Sequence, residues 1–138
     1  TTCYRYTRNP KYLAQACNIY NFIFTNKNLP EDLIPYWDYN ALNIPNEPRD
    51  VSAATITASA LYELSTYVSD MKYKETADKI IEYLSAPSYR AEVGTNGNFI
   101  LMHSVGSIPH GVEIDVPLNY ADYYFLEALI RKRDLEKR

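Results

Sequence analysis

The residues best suited to contact a polar ligand lie within 98–126, where a short apolar run leads into a polar loop. His103 offers an imidazole there, and Ser104 and Ser107 offer hydroxyl groups. Gly106 lies between the two serines and is able to adopt a positive φ. Such a loop can point polar groups inward, so His103, Ser104 and Ser107 are candidate substrate contacts. The alternative for His103 is a histidine that is hydrogen-bonded within its own loop.

A second candidate is the long connection predicted over residues 29–49, which contains four prolines and the single tryptophan, Trp37. The prolines disfavour a regular helix, and long ordered loops often carry function. The indole of Trp37 could stack on the apolar C–H face of a pyranose, or it could wedge the connection against the helices. Arg49 likewise could clamp a carboxylate or pin the loop.

Composition excludes several classes of function. With 138 residues, 46% hydrophobic and 22% charged, the chain fits one globular domain, 1–138. Its net charge of -3 gives no field that would gather nucleic acid. No apolar run approaches the roughly 18 residues that a membrane span needs. The two histidines have no cysteine nearby, so a metal site is not expected.

Five helices are predicted from apolar periodicity and capping signals. Asn9 and Asp50 are the predicted N-caps of the second and third helices. Asp115 is predicted to cap the last helix, with Pro117 in its first turn. The predicted helical ranges are 1–8, 10–24, 51–68, 71–84 and 117–133.

A short β-hairpin is predicted near residues 89–103. The passage 85–98 is rich in turn residues and includes the dipeptide Asn96-Gly97, which is typical of a tight hairpin turn. The apolar run Phe99–Met102 that follows is suited to an extended strand.

An internal repeat organises the helices. A shift of 61 residues places Lys11-Tyr12 on Lys72-Tyr73, and several apolar positions also coincide. A helix pair cannot bury its apolar faces alone, so such pairs stack or close into a ring. The third helix is rich in small residues, which favours an inner layer. The sequence therefore predicts an all-α arc of an α/α toroid with apolar edges that other segments or another copy must cover.

Several motifs, in order, resemble a known family. They are Tyr36-Trp37-Asp38, Glu47-Pro48-Arg49-Asp50-Val51-Ser52-Ala53-Ala54, His103-Ser104-Val105-Gly106, Glu113-Ile114-Asp115-Val116-Pro117-Leu118 and Tyr120-Ala121-Asp122-Tyr123-Tyr124-Phe125. Together they are similar to the C-terminal part of the unsaturated glucuronyl hydrolases, glycoside hydrolase family 88. The resemblance extends over essentially the whole chain.

The resemblance implies an (α/α)6 barrel that removes 4,5-unsaturated uronic acid from oligosaccharides left by polysaccharide lyases. In that family an aspartate protonates the C4=C5 bond and activates water, without a metal or organic cofactor. The family's two catalytic aspartates lie in its N-terminal half, and nothing here matches their motifs. The resemblance therefore implies a fragment that is inactive alone and whose partners are the rest of the parent chain and an unsaturated uronic-acid oligosaccharide.

Substrate contacts follow from the same resemblance. Some members of the family hold a sulfate with two serines and a following lysine in the loop that matches 103–109. Ser104 and Ser107 have that spacing, but Pro109 stands in the place of the lysine. Two alternatives stay open: an unsaturated rhamnogalacturonyl hydrolase fragment, and a helical-repeat module that binds a protein. The compartment, cytoplasmic or periplasmic, is also open.

Overall fold

The computed structural model describes residues 1–137, which are mostly helical and include one two-stranded antiparallel sheet. The elements in chain order are α1 (Thr2–Thr7), α2 (Pro10–Phe24), α3 (Val51–Leu64), α4 (Lys72–Leu84), β1 (Ser104–Ser107), β2 (Val112–Val116) and α5 (Asn119–Glu136). Two long segments separate the helices: the first connection, residues 25–50, and the second connection, residues 85–118, which contains the sheet.

Capping confirms the predicted starts of α2 and α3. The side chain of Asn9 accepts a hydrogen bond from the Lys11 amide, and Pro10 is the first helical residue. The side chain of Asp50 accepts a hydrogen bond from the Ser52 amide at 3.0 Å. Both carboxamide and carboxylate therefore satisfy an amide that has no partner within its helix.

Helix α3 ends at Leu64, earlier than the predicted end near residue 68. The hydroxyl of Ser65 donates to the Tyr62 carbonyl, and the hydroxyl of Thr66 donates to the Glu63 carbonyl. These side chains compete with backbone amides for the last carbonyls, which ends the regular helix.

The core lies where α3 packs against α4 and α5. Small side chains let α3 and α5 approach closely, since Ala54 and Ala58 are buried on α3 and Ala121 and Ala128 are buried on α5. Larger side chains fill the space toward α4. The fully buried ones across the core include Ile34, Val51, Tyr62, Leu64, Ile80, Leu84 and Leu101.

A polar cluster joins the same three helices at the edge of this core. Asp78 on α4 accepts a hydrogen bond from the Tyr62 hydroxyl of α3 at 2.8 Å. It also pairs with Lys74 on α4 and Lys132 on α5. Burial, followed by the hydrogen bond to Asp78, raises the pKa of Tyr62 above its usual range. The tyrosine therefore stays a neutral donor to the carboxylate.

The predicted β-hairpin was misplaced. The sheet pairs 104–107 with 112–116, whereas within 89–103 a single isolated bridge joins Arg90 to Leu101. The dipeptide Asn96-Gly97 forms a 3-10 turn with Asn98 instead of a two-residue hairpin turn.

Side-chain hydrogen bonds explain why the bridge between Arg90 and Leu101 does not extend into a longer strand pair. The Asp122 carboxylate of α5 accepts hydrogen bonds from the Ile100 and Leu101 amides at 2.8 and 3.0 Å. The Asn96 amide donates to the Leu101 carbonyl at 3.0 Å. Backbone groups that a second strand would have paired are therefore already satisfied.

The predicted cap of the last helix was also wrong. Helix α5 begins at Asn119 after Leu118, which makes no side-chain capping bond. Asp115 lies in β2 and its carboxylate contacts His103 instead. The Asp115 carboxylate, which the capping pattern assigned to the start of α5, therefore pairs with His103 instead.

Candidate functional site

The two long connections meet over the first turn of α3. The Val51 amide donates to the His103 carbonyl at 3.1 Å, which ties the second connection to the helix. The Asp50 amide donates to the Pro35 carbonyl at 2.8 Å, which ties the first connection to the same turn. The Asp50 carboxylate also accepts from the Val105 amide at 3.3 Å. Both connections therefore form one rim at the amino end of α3.

Trp37 is held in the first connection by its own loop. Its backbone amide donates to the Pro48 carbonyl at 3.0 Å. Its indole Nε1–H donates to Glu47 Oε2 at 2.7 Å, while Glu47 Oε1 accepts from the Asn43 amide at 3.1 Å. The ring is only partly buried. Its orientation is thus fixed by a carboxylate while part of its surface stays accessible.

Arg49 pins the first connection. Its Nε donates to the Ile34 carbonyl at 2.9 Å, its guanidinium pairs with Asp32, and it lies 5.2 Å from the Tyr36 ring centroid. The Tyr89 hydroxyl donates to the other oxygen of Asp32 at 2.6 Å, which joins the two connections. Of the two interpretations of Arg49, these contacts support the structural one.

His103 forms a close pair with Asp115. Its Nδ1 lies 2.6 Å from Asp115 Oδ1, and both residues have left-handed backbone conformations, with φ values of 65° and 55°. The imidazole also lies edge-on to the Tyr89 ring, with 6.3 Å between centroids. The bond is not confined to the 103–109 loop, because its acceptor comes from the facing strand.

The two serines occupy different surroundings. Ser104 is 0% exposed, and its Oγ has no hydrogen-bond partner among the described residues. Ser107 is partly exposed, and its hydroxyl lies 2.7 Å from His110 Nδ1 near the hairpin turn. The structure therefore does not present the two hydroxyls as one pair.

Gly106 is required by close approach and not by a positive φ. A Cβ at this position would overlap the Glu113 carboxylate and its Cβ. The left-handed residues of the hairpin are instead His103, Gly111, Glu113 and Asp115. A residue with a side chain at 106 would have to displace Glu113.

Three contributors to the rim were missed from the sequence: Asp32, Glu47 and Tyr89. Each acts through hydrogen bonds to residues of the two connections, so no periodic signal marks it. In residues 1–137, no group of three or more His, Cys, Asp or Glu residues is arranged to hold a metal ion. The described helices include none with the length and hydropathy of a membrane span.

The rim combines a partly buried indole, an imidazole whose Nε2 has no hydrogen-bond partner among the described residues, and the partly exposed hydroxyl of Ser107. Flat rings and hydrogen-bonding groups of this kind suit a pyranose, which has apolar C–H faces and hydroxyl edges. Fold and rim together define a mostly helical protein with a small antiparallel sheet and a rim of aromatic and polar side chains.

Comparison with known proteins specifies the class further. No protein-family model matches the chain. An unsaturated glucuronyl hydrolase from Formosa agariphila is 50% identical over 98% of this chain and 34% of its own length. The crystal structure of an unsaturated glucuronyl hydrolase specific for heparin superposes with a TM-score of 0.95 and 46% identity, covering 98% of this chain and 37% of that one.

A third similar protein is a mutant unsaturated glucuronyl hydrolase from Streptococcus agalactiae, crystallised with dGlcA-GalNAc6S. It has a TM-score of 0.79 and 28% identity over 96% of this chain and 36% of that one. The chain belongs to the family of the unsaturated glucuronyl hydrolases, which are glycosidases. It spans about a third of the length of these relatives, given the 34% and 37% coverage of the first two.

Proposed function

We propose that this chain is part of a glycosidase that removes 4,5-unsaturated uronic acid from lyase-generated oligosaccharides by hydrating the double bond. The observation that carries the proposal is the 50% identity to an unsaturated glucuronyl hydrolase along 98% of the chain. Since the chain spans only about a third of that relative, the reaction is proposed for the complete protein that contains it.

The fold proposed for the complete protein is an (α/α)6 barrel, with residues 1–138 as a C-terminal arc of its single catalytic domain. The contacts of α1 with α2 and of α3 with α4 support this arrangement, because they repeat one helix-pair unit. Exposed apolar side chains mark the edges that the rest of the protein or another copy would cover. They include Ile19, Phe22, Ile56 and Tyr123.

In this proposal the chain supplies substrate contacts and no catalytic residue. Trp37 offers an indole face that is fixed by Glu47, and His103 offers a ring nitrogen. Ser107 offers a hydroxyl on the hairpin, whereas the Oγ of Ser104 is buried and has no hydrogen-bond partner among the described residues. The catalytic aspartates belong to the remaining part of the protein, so the chain alone is inactive.

The first substrate to test is an unsaturated disaccharide from heparin. The solved relative that is specific for heparin is 46% identical to this chain, whereas the one crystallised with dGlcA-GalNAc6S is 28% identical. Pro109 also occupies the position of the sulfate-binding lysine that the family resemblance would require.

The test uses the complete protein and follows the loss of absorbance of the C4=C5 bond. Trp37→Ala is expected to lower kcat/KM about tenfold or more, since truncating a tryptophan that anchors a contact costs about 2 kcal/mol or more. Trp37→Phe keeps a ring but loses the bond to Glu47, so its loss should be smaller. Leu42→Ala, at a side chain 98% exposed in the same connection, is the control and should leave kcat/KM unchanged.

Two results would overturn the proposal. Turnover of unsaturated rhamnogalacturonan fragments without turnover of glycosaminoglycan disaccharides would favour the rhamnogalacturonyl alternative. No turnover of either substrate by the complete protein would favour a helical protein-binding module.

A further inference from the structure

The pair formed by His103 and Asp115 has a geometry that its contribution to stability does not explain. Both side chains are partly exposed, at 42% and 58%, and ion pairs this exposed to solvent stabilise a fold very little. Both residues nevertheless adopt left-handed backbone conformations, which are costly for residues other than glycine and cluster at functional sites. The hairpin backbone therefore holds these two side chains together through conformations that most residues other than glycine avoid.

The imidazole is fixed from several directions. The backbone carbonyl of His103 accepts a hydrogen bond from the Val51 amide of α3. The imidazole Nδ1 lies 2.6 Å from Asp115 Oδ1. The Tyr89 ring lies edge-on to it, and Tyr89 is itself anchored by the hydrogen bond from its hydroxyl to Asp32. Burial, followed by that hydrogen bond, raises the pKa of Tyr89 above its usual range, so the anchoring donor is retained.

The pairing also determines which nitrogen carries the proton. A carboxylate only accepts hydrogen bonds, so Nδ1 of His103 must donate to Asp115. In the neutral ring Nε2 is then an acceptor with a free lone pair. Within residues 1–137, Nε2 has no hydrogen-bond partner, and 42% of the side chain is accessible. A sugar hydroxyl is a donor that matches this acceptor.

We infer that Asp115 is a positioning residue that orients the His103 imidazole so that Nε2 accepts a hydrogen bond from a hydroxyl of the substrate. The identity of the substrate rests on the proposed function, whereas the orientation of the ring rests on the hairpin alone. Asp115 acts only through His103 and makes no substrate contact of its own.

The first test reads the tautomer directly. A long-range ¹H–¹⁵N spectrum of the complete protein, with the His103 signals assigned from their loss in His103→Gln, should show the proton on Nδ1. In Asp115→Gly, which keeps a residue able to adopt positive φ, this preference should be lost. A proton on Nε2 in the unmutated protein would overturn the inference.

The second test is a double-mutant cycle on kcat/KM with an unsaturated uronyl disaccharide. His103→Gln and Asp115→Gly are each expected to lower kcat/KM about three- to tenfold, as for one lost hydrogen bond. The double variant should lose no more than His103→Gln alone, because Asp115 acts through the histidine. Asp115→Asn retains an acceptor and should recover part of the loss.

Glu113→Gln is the matched control, since Glu113 lies on the same strand with φ 54° and does not contact His103 in the described structure. Its kcat/KM should equal that of the unmutated protein. If the decreases in kcat/KM of the His103 and Asp115 variants multiplied in the double variant, the inference would be overturned and the proposed function would be unaffected. If the unmutated protein turns over no unsaturated uronyl sugar, the proposed function and the hydroxyl contact fail together, and the tautomer still decides whether Asp115 positions the ring.

Discussion

The helical framework of α3, α4 and α5 and the rim formed by residues 25–50 and 85–118 are held together by different interactions. The framework buries apolar side chains such as Ile80 and Leu84 on complementary faces. The rim is held by carboxylates that accept hydrogen bonds from rings and amides, as Glu47 does for Trp37 and Asp122 does for Leu101. The hydrophobic effect does not depend on the direction of a side chain, whereas a hydrogen bond fixes the orientation of the groups that form it.

The difference teaches how the chain separates stability from recognition. Most of the buried side chains that stabilise the fold lie in the framework, although Ile34 and Leu101 of the rim also enter the core. The fixed but partly accessible Trp37 and His103 lie in the rim. Substitutions in the framework should therefore change the free energy of unfolding most, and substitutions in the rim should change local order and substrate recognition.

The largest effect is expected for Leu84→Ala at the end of α4. Leu84 is 0% exposed, so its truncation leaves a cavity and should lower the free energy of unfolding by about 2–5 kcal/mol. Met71→Ala, at a side chain 62% exposed just before α4, should change it by less than about 0.5 kcal/mol. Urea unfolding of the complete protein measures both, and equal values would contradict the assignment of the core.

The next effect is expected for Asp122→Ala. The Ile100 and Leu101 amides lose their acceptor, which should cost about 1–3 kcal/mol. Hydrogen exchange at these two amides should become faster. Asp134→Ala on the same helix removes a carboxylate whose described hydrogen bonds come from the adjacent Arg133, and it should leave both exchange rates unchanged. Unchanged protection in the Asp122 variant would show that α5 does not organise the rim.

A comparison of two aspartates that accept hydrogen bonds near helix starts sharpens the distinction. Asp50 and Asp70 each accept from an amide two residues later, but Asp50 also accepts from the Val105 amide. Asp50→Ala should therefore cost about 1–2 kcal/mol and speed exchange of the Val105 amide. Asp70→Ala, at an exposed side chain, should cost less and leave that amide unaffected. Urea unfolding and hydrogen exchange would test this, and equal losses without local exchange would argue against a role of Asp50 in joining the connections.

The smallest effect concerns the pH dependence of Asp78. Burial raises its pKa, but hydrogen bonds from Lys132, Lys74 and Tyr62 outweigh burial, so the pKa is lowered in the folded protein. Its stabilisation is therefore present above the unfolded-state pKa of about 3.9 and is lost as the pH falls through the folded value. Because the side chain is 30% exposed, solvent screening keeps the contribution below about 1 kcal/mol.

Asp78→Asn should accordingly be less stable than the unmutated protein at about pH 7. The difference should shrink as the pH is lowered below about 3.9 and vanish below the folded-state pKa of Asp78. Unfolding curves over this pH range measure the difference. Glu75→Gln on the exposed side of the same helix should show no such convergence, since no ion pair to Glu75 is found among the described residues. If the difference in unfolding free energy between Asp78→Asn and the unmutated protein persisted at low pH, it would arise from packing and not from the charge of Asp78.

Local chemistry was enough to predict the caps Asn9 and Asp50 and the helices α2 and α4, because apolar periodicity and capping involve neighbours a few residues apart. The same reasoning failed for Asp115 and for the Asn96-Gly97 turn. In both places a tertiary hydrogen bond, to His103 or from Leu101 to Asp122, replaced the local one that the pattern suggested.

The contacts of the rim could not be predicted for a related reason. Asp32 and Tyr89 are far apart in the chain, and a single hydrogen bond between them leaves no repeating pattern in the sequence. The motifs around Trp37 and His103 were nevertheless sufficient to identify the family, since several short motifs in a fixed order are specific even where each contact is unknown.

By itself the sequence determined the helices, their pairing and the family, because side-chain size and polarity at regular spacing are recorded along the chain. Only the tertiary structure decided which carboxylate holds each ring of the rim. Those bonds depend on where α3 and α5 bring distant loops together, and the spacing of residues carries no information about that approach.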